Sequence, residues 1–124
     1  MKNNSEKLKT DLKERAYIYA LRIIKLLDSL AKQDFTAQII AKQLLRSATS
    51  IGANIIEAQA GYSKKDFTLF FSHALKSANE SKFWLGLLRD SGKAHRETTR
   101  HLLQETRELA NMLGASILTL KGWS

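Results

Sequence analysis

A short stripe of polar residues interrupts an otherwise apolar stretch in the middle of the sequence, and its side chains are the first candidates for chemistry. Arg46, Ser50, Asn54 and Glu57 recur at spacings of four, four and three, which places them on one narrow face of a helix. Together with Glu80, Asn54 and Glu57 could form an acid–base cluster. We favour a structural role, because a carboxylate that is buried without a partner is very costly.

The structural interpretation requires donors for these carboxylates. Arginine suits that role because its planar guanidinium pairs a carboxylate at two points. The structural polar network that we predict contains Arg46, Ser47, Ser50, Asn54, Glu57 and Glu80, with Lys76 as a further donor. As a hypothesis, such a network would fix helix register or the choice of neighbouring chain.

Metal chemistry needs histidines in a pattern that this sequence does not have. A carboxylate-bridged dimetal site in a helical bundle uses Glu-x-x-His motifs, and none of His73, His95 and His101 lies three residues after a glutamate. There are no cysteines, and no phosphate-binding loop, dinucleotide fingerprint or nucleophile elbow is present. We therefore predict no metal, no cofactor and no enzymatic activity.

Four segments of helical periodicity would carry these residues. The sequence has no proline and six glycines, so long helices are possible. We predict helices from about Ser5 to Lys32, from just after Asp34 to Gly61, from Ser63 to Asp90, and from His95 to Lys121. The predicted core seams are Leu12, Ala16, Tyr19, Ile23, Leu26 and Leu30; Ala37, Ala41, Leu44, Ala48, Ile51, Ile55 and Ala58; Phe67, Phe71, Ala74, Ala78, Ser81, Leu85 and Leu88; and Leu102, Thr106, Leu109, Leu113, Ser116 and Leu120.

Short breaks separate the segments, and their residues predict specific ends. Gly61 is expected to close the second helix in a left-handed conformation, and Ser63 to cap the third helix three residues before Asp66. Residues 122–124 are expected to fray. Short breaks favour antiparallel neighbours, so the predicted fold is all-α: an up-down-up-down four-helix bundle in a single domain, 1–124. A helical repeat array is the alternative, but no fixed period is evident.

The first helix is more apolar than one core seam requires. Tyr17, Ile18, Leu21, Ile24 and Leu27 flank its seam, which predicts burial on more than one side, either deep in the bundle or against another subunit. A second apolar surface is expected around Phe70, Trp84 and Leu87 of the third helix.

The charge of the chain is strongly positive, at +8 with an isoelectric point near 9.9. On the fourth helix the basic residues fall within an arc of about 80°, at about 100° per residue, and the acids Glu97, Glu105 and Glu108 lie to one side. This predicted basic stripe consists of Lys93, Arg96, Arg100, Arg107 and Lys121. It either follows a phosphate backbone or is a solvated face without a partner. No apolar leader or membrane-length segment occurs, so a cytoplasmic location is expected.

The central half of the chain resembles a known bacterial family. Residues 43–57 read QLLRSATSIGANIIE, and the resemblance continues through GYSKKDF at 61–67, LKSANE at 75–80 and KFWL at 82–85. These motifs are similar to those of the proteins encoded in intervening sequences of 23S rRNA genes, also called the S23 ribosomal protein family. Many members have glycine where this chain has Ala58.

The resemblance implies a four-helix bundle that assembles as a ring-shaped homopentamer. A relative, the accessory variability determinant of diversity-generating retroelements, binds a reverse transcriptase and nucleic acid. Two functions are therefore expected for this chain: binding of structured RNA or DNA through the basic stripe, or a protein-interaction scaffold for a reverse transcriptase or ribosomal component.

Overall fold

The computed structural model describes the backbone of residues 4–121 and the side chains of residues 12–121, so the tail expected to fray lies outside it. The described chain consists of four α-helices without a strand: α1 (Asn4–Asp28), α2 (Phe35–Ala60), α3 (Lys64–Asp90) and α4 (Arg96–Lys121). The all-α prediction is confirmed.

The helices form a closed bundle in which α2 packs between α1 and α3, and α4 packs against α3 and α1. Contacts at two levels of the bundle show that α1 and α4 are antiparallel: Arg15, in the first half of α1, contacts Met112, whereas Leu26, near the end of α1, lines a groove with Leu102, near the start of α4. At one end, Lys93 before α4 meets Asp34 before α2. The packing is most extensive between α2 and α3 and least extensive between α1 and α4.

The core consists of the side chains that the four–three spacing predicted. The α1 and α2 seams are buried in full, and α3 differs only in Phe67, which is half-buried. On α4, Ser116 and Leu120 are half-buried, while Leu103, Ala110 and Ile117 are buried as well. The apolar arc of α4 is therefore wider than one seam, because both α1 and α3 pack against it.

Helix α1 ends earlier than the predicted Lys32. Its last residue is Asp28, after which the Ser29 and Leu30 amides donate to the Leu26 and Leu27 carbonyls at 3.0 and 3.2 Å. The Ser29 hydroxyl donates to the Leu26 carbonyl too, a local bond that competes with helix continuation. The tightened turn still brings Leu30 into the core.

The left-handed prediction for Gly61 is wrong. Its φ of −68° and ψ of 151° are extended, and its amide donates to the Ala58 carbonyl at 3.2 Å. A β-carbon at this position would lie 3.2 Å from the β-carbon of Asp66 and 3.3 Å from the Ala58 oxygen. Glycine is favoured here by the close approach of α2 and α3 rather than by its freedom in φ.

The left-handed glycine is instead Gly92, with a φ of 73°, at the end of α3. The Gly92 amide donates to the Arg89 carbonyl and the Lys93 amide to the Leu88 carbonyl, both at 3.1 Å, which is the bonding pattern of a Schellman motif. The predicted end of the third helix at Asp90 is confirmed. The Ser63 cap is confirmed too, since its hydroxyl accepts from the Asp66 amide at 3.0 Å.

Part of the apolar surface of α1 is left uncovered by the bundle. Tyr17 is 68% exposed and Leu21 is 51% exposed, whereas Leu27 packs against the core. On α3, Phe70 and Trp84 also pack against the core, and Leu87 remains exposed. None of the helices in the described part of the chain is long and apolar enough to cross a membrane.

Candidate nucleic-acid interface

Helix α4 presents two charged sides, because its core face is directed between α1 and α3. Glu105 and Glu108 lie toward α1 and accept from the Arg15 guanidinium at 3.0 and 3.3 Å. The Arg15 guanidinium also contacts the Met112 sulfur at 3.1 Å. At about 100° per residue, positions 96, 100 and 107 fall on the opposite side of the core face, toward α3.

Among the five residues of the predicted stripe, Arg96 and Arg107 have exposed side chains that make no hydrogen bond or ion pair within the described chain. Arg96 nevertheless acts at longer range on Asp90, since both Arg89, through a hydrogen bond, and Arg96, through its charge, lower the pKa of that carboxyl. Arg96 and Arg107 are eleven positions apart, which is about 16 Å along the helix axis. They are the cations of the stripe that can engage an added anion without breaking an existing contact.

Arg100 is partly neutralised by its neighbour on the same helix. Its Nε donates to Glu97 at 3.2 Å. This hydrogen bond, together with the attraction between the two opposite charges, raises the pKa of Arg100 and lowers that of Glu97. His101 Nε2 also lies 3.2 Å from Glu97. Exposed ion pairs at this spacing are weak, so a phosphate can compete for Arg100.

Lys93 lies in the loop between α3 and α4 rather than on α4 itself. Its amine donates to Asp34 at 2.7 Å, and this bond, together with the Ala37 amide, holds the pKa of the Asp34 carboxyl below its usual value. Lys93 therefore joins two helix ends within the fold. Lys121 is exposed at the end of α4.

The α3 side of this surface contributes two cations that the sequence analysis did not assign. Lys82 and Arg89 are seven residues apart, so they share one side of α3. Ser81 bonds Ser47 of α2, and Lys82 lies about 100° further round the helix, so we infer that this side of α3 is directed toward α4. Lys82 is half-buried without an ion pair in the described chain, whereas Arg89 pairs with Asp90 at 2.8 Å. Arg89 lies only four residues before Lys93, whereas Lys82 is eleven residues away and is revealed only by the packing of α3 against α4.

The predicted polar network is not assembled within the chain. The side chains of Arg46, Glu57 and Glu80 are exposed and make no hydrogen bond or ion pair to described residues. Asn54 donates to the Ser50 carbonyl on its own helix at 2.8 Å. Arg46, Glu57 and Glu80 therefore face outward, and their part in a network that specifies the bundle or its neighbours stays a prediction.

A different polar chain crosses the core and involves all four helices. The Ser47 and Ser81 hydroxyls are 2.9 Å apart, the Tyr19 hydroxyl bonds Ser81, and it lies 2.7 Å from Thr106. Because the Thr106 hydroxyl donates its single hydrogen to the Leu102 carbonyl at 2.6 Å, Tyr19 is the donor to Thr106. Of the predicted network only Ser47 belongs to this buried hydroxyl chain.

No buried side-chain polar atom in the described chain lacks a hydrogen-bond partner. The described residues also contain no group of three or more histidines or carboxylates that could hold a metal ion. The polar groups of the interior are thus matched to one another, and the charges available for an external ligand lie on the surface.

These features define an antiparallel four-helix bundle with a basic surface on its last two helices. The model of the 23S rRNA-intervening sequence protein family matches residues 9–115, and the chain belongs to that family. A similar solved structure is that of a protein of unknown function from the S23 ribosomal protein family of Bacteroides thetaiotaomicron. The two are 34% identical, the alignment covers 89% of this chain and 97% of the other, and the TM-score is 0.82. No curated protein matches the sequence.

Proposed function

We propose that this chain is a non-enzymatic, cytoplasmic protein that binds structured RNA or DNA through the surface shared by α3 and α4. The observation that carries the proposal is that the exposed side chains of Arg96 and Arg107 make no hydrogen bond or ion pair within the described chain. By helical periodicity both lie on the α3 side of α4. Cations in a row contact successive phosphates and release counterions. The family description, which refers to rRNA intervening sequences, makes RNA the first ligand to test.

The two sides of α4 explain why one of them would attract a polyanion. Toward α1, Glu105 and Glu108 are matched by Arg15. The stripe lies on the α3 side of α4, so Glu105 and Glu108 project from a different side of the helix. The stripe from Arg96 to Lys121 is about 37 Å long, which is close to one turn of a duplex. No exposed aromatic residue lies among its members, so we expect binding through the phosphate backbone of a duplex or hairpin rather than stacking on single-stranded bases.

The test measures binding of a fluorescent RNA hairpin over a range of salt concentrations. The wild-type protein should show a log–log slope of about −0.9 for each duplex phosphate contacted. Arg96→Glu with Arg107→Glu should abolish most of the binding. The matched control is Lys32→Glu with Lys42→Glu, which changes the net charge equally at exposed positions of the α1–α2 loop and of α2, the helix that does not contact α4. Binding that ignores salt, or that falls equally in both variants, would contradict the proposal.

A second function, as an oligomeric scaffold, is favoured by the uncovered apolar surface. A groove of about 560 Å³ lies between α1 and α2. Small residues line it, among them Ala20, Gly52 and Ala53, and the exposed Tyr17 and Ile56 lie beside them. On the outer side of α3, Leu69 and Phe83 are 50% and 59% exposed. We propose that the α3 surface of one copy occupies the α1–α2 groove of the next.

Two different surfaces in contact form a head-to-tail interface, which closes into a ring when the rotation between copies permits. The resemblance to the family implies five copies. The outward-facing Arg46, Glu57 and Glu80 then find partners on neighbouring chains. A reverse transcriptase or ribosomal component is the alternative occupant of the apolar surface, and it would bind a chain that remains monomeric.

A further inference from the structure

A basic groove separate from the stripe opens between the C-terminal half of α1 and the first turns of α4. It has a volume of about 570 Å³, within the usual range of small-ligand sites. The residues that line it are Arg22, Lys25, Leu26, Ser29, His95, Thr98, His101 and Leu102. It lies on the α1 side of α4, whereas the stripe lies on the α3 side. Neither the family description nor the proposed function assigns it a role.

Two permanent cations of α1 are directed to this groove without a carboxylate partner. Arg22 and Lys25 are three residues apart, so they are neighbours on the same helix face. Neither makes an ion pair or hydrogen bond within the described chain. In contrast, Arg15, two turns earlier on the same helix, is bound by Glu105 and Glu108. The α1–α4 interface is therefore closed by acids at one end and left cationic at the other.

The α4 wall adds donors to these charges. His95 precedes the helix, and its Nδ1 accepts from the Thr98 amide at 3.4 Å, so the ring hydrogen of a neutral imidazole is assigned to Nε2. That nitrogen remains a donor for a ligand. The first turn of α4 also contributes the positive end of the helix dipole.

The nearest acid on this wall is already engaged. Glu97 binds Arg100 and lies 3.2 Å from His101 Nε2, so it already has partners on its own helix. The floor of the groove is apolar and is formed by Leu26 and Leu102. Cations and donors above an apolar floor suit a ligand that joins a compact anion to a flat, weakly polar body.

We propose that the groove binds the terminal phosphate of a nucleoside monophosphate, with Arg22 and Lys25 on the phosphate and the nucleoside against Leu26 and Leu102. A terminal phosphate carries close to two negative charges at neutral pH, whereas a phosphodiester carries one, so a pair of cations one turn apart favours the terminal group. This chemistry is shared by a free nucleotide and by the phosphorylated end of a nucleic-acid strand.

The primary experiment titrates the full chain with adenosine 5′-monophosphate, adenosine and inorganic phosphate by calorimetry and by NMR shift mapping. The monophosphate should bind most tightly and shift the resonances of His95, Thr98 and His101. Arg22→Gln with Lys25→Gln should weaken it by about tenfold or more, because charge-assisted bonds to phosphate are lost. Both side chains are exposed, so the variant should fold normally.

The matched control, Lys64→Gln with Lys65→Gln, removes two charges at the far end of the bundle and should leave the affinity unchanged. Equal weakening in both variants, adenosine binding as tightly as its monophosphate, or no binding of the monophosphate would overturn the inference.

A second arm distinguishes the two sources of the phosphate. A short oligonucleotide with a 5′-phosphate should bind more tightly than the same strand with a 5′-hydroxyl if strand ends are the ligand, and the advantage should disappear in the Arg22/Lys25 variant. If the Arg22/Lys25 substitutions weaken binding of the free nucleotide but not of the 5′-phosphorylated strand, the ligand is the nucleotide. The inference does not rest on the stripe: Arg96→Glu with Arg107→Glu tests the proposed function and should leave monophosphate binding intact.

Discussion

Tyr19 is the centre of the buried hydroxyl chain, and its burial has a measurable electrostatic consequence. Its ring is fully buried, and burial raises the pKa of its phenol to about 12, with the hydrogen bonds to Thr106 and Ser81 opposing that rise. An ionised phenolate would lose solvation in the core, so the fold holds the neutral form.

We therefore predict a loss of stability in alkaline solution that depends on this side chain. Below pH 10 the phenol is neutral in both the folded and the unfolded chain. Between pH 10 and about 12 only the unfolded chain ionises, so the free energy of unfolding falls as the pH rises, by about 3 kcal/mol in total. Urea unfolding from pH 8 to 12 measures the loss.

Tyr19→Phe is the control, because it removes the titrating group and keeps the ring. At pH 8 the variant should be less stable by about 1–2 kcal/mol, since the hydrogen-bond donor to Thr106 is lost. The difference between the two proteins should shrink above pH 10 and reverse as the pH approaches 12, because the loss of about 3 kcal/mol in the wild type exceeds its advantage at pH 8. A difference that stays constant with pH would show that the Tyr19 phenol is accessible to water.

Asp34 shows how one residue joins the cap of a helix to a distant loop. One carboxylate oxygen accepts from the Ala37 amide at 3.0 Å, and the other accepts from Lys93 at 2.7 Å. Because these bonds hold the folded pKa below the ordinary value of 3.8, the stabilisation is present above that pH and is lost as the pH falls through the folded pKa.

This arrangement predicts that Asp34→Asn keeps the cap but loses the ion pair, and that Asp34→Ala loses both. Thermal unfolding at pH 7 should rank the wild type above Asp34→Asn, and Asp34→Asn above Asp34→Ala. Once the pH has fallen below the folded pKa of Asp34, the wild type and Asp34→Asn should converge, since the protonated carboxyl no longer attracts Lys93. An asparagine variant as stable as the wild type at pH 7 would show that Lys93 is free, and would return it to the predicted stripe.

At the level of the helices, Gly114 lowers the stability of α4 without a packing reason within the described chain. Gly114 lies in the helix interior, and a β-carbon placed there would have no atom within 4 Å. Gly114→Ala should therefore raise the free energy of unfolding by about 0.5–1 kcal/mol, through helix propensity alone.

Gly61→Ala is the opposite case, because its β-carbon would crowd the Asp66 β-carbon at 3.2 Å and the Ala58 carbonyl oxygen at 3.3 Å. It should destabilise the chain, and urea unfolding of both variants tests the pair. Destabilisation by Gly114→Ala would indicate that another copy packs closely on this part of α4.

The whole molecule leaves two apolar surfaces uncovered, and the assembly proposal makes a prediction at that level. Light scattering should give a mass of about 70 kDa for five copies of the 14.0 kDa chain. Phe83→Asp changes the α3 surface, and Ala53→Trp fills the α1–α2 groove; each should lower the mass without loss of helical signal. A monomeric wild type would refute the ring and favour a foreign partner for the same surfaces.

The core of the bundle could be predicted from the sequence because helical periodicity is local. Leu44, Ile51 and Ile55 recur at steps of four and three, so they occupy one side of α2 whatever surrounds it. The same steps predicted every residue of the α1 core seam. They missed Leu103 and Ala110 of α4, because the width of a buried arc depends on how many helices pack against it.

The contacts between polar groups could not be predicted in the same way. Periodicity placed Tyr19, Ser81 and Thr106 on core seams, but their meeting depends on the axial register of different helices, which the packing of the whole bundle sets. The same register pairs Lys93 with Asp34. It also brings Arg22 of α1 beside His95, seventy-three positions away, in a groove that neither helix forms alone.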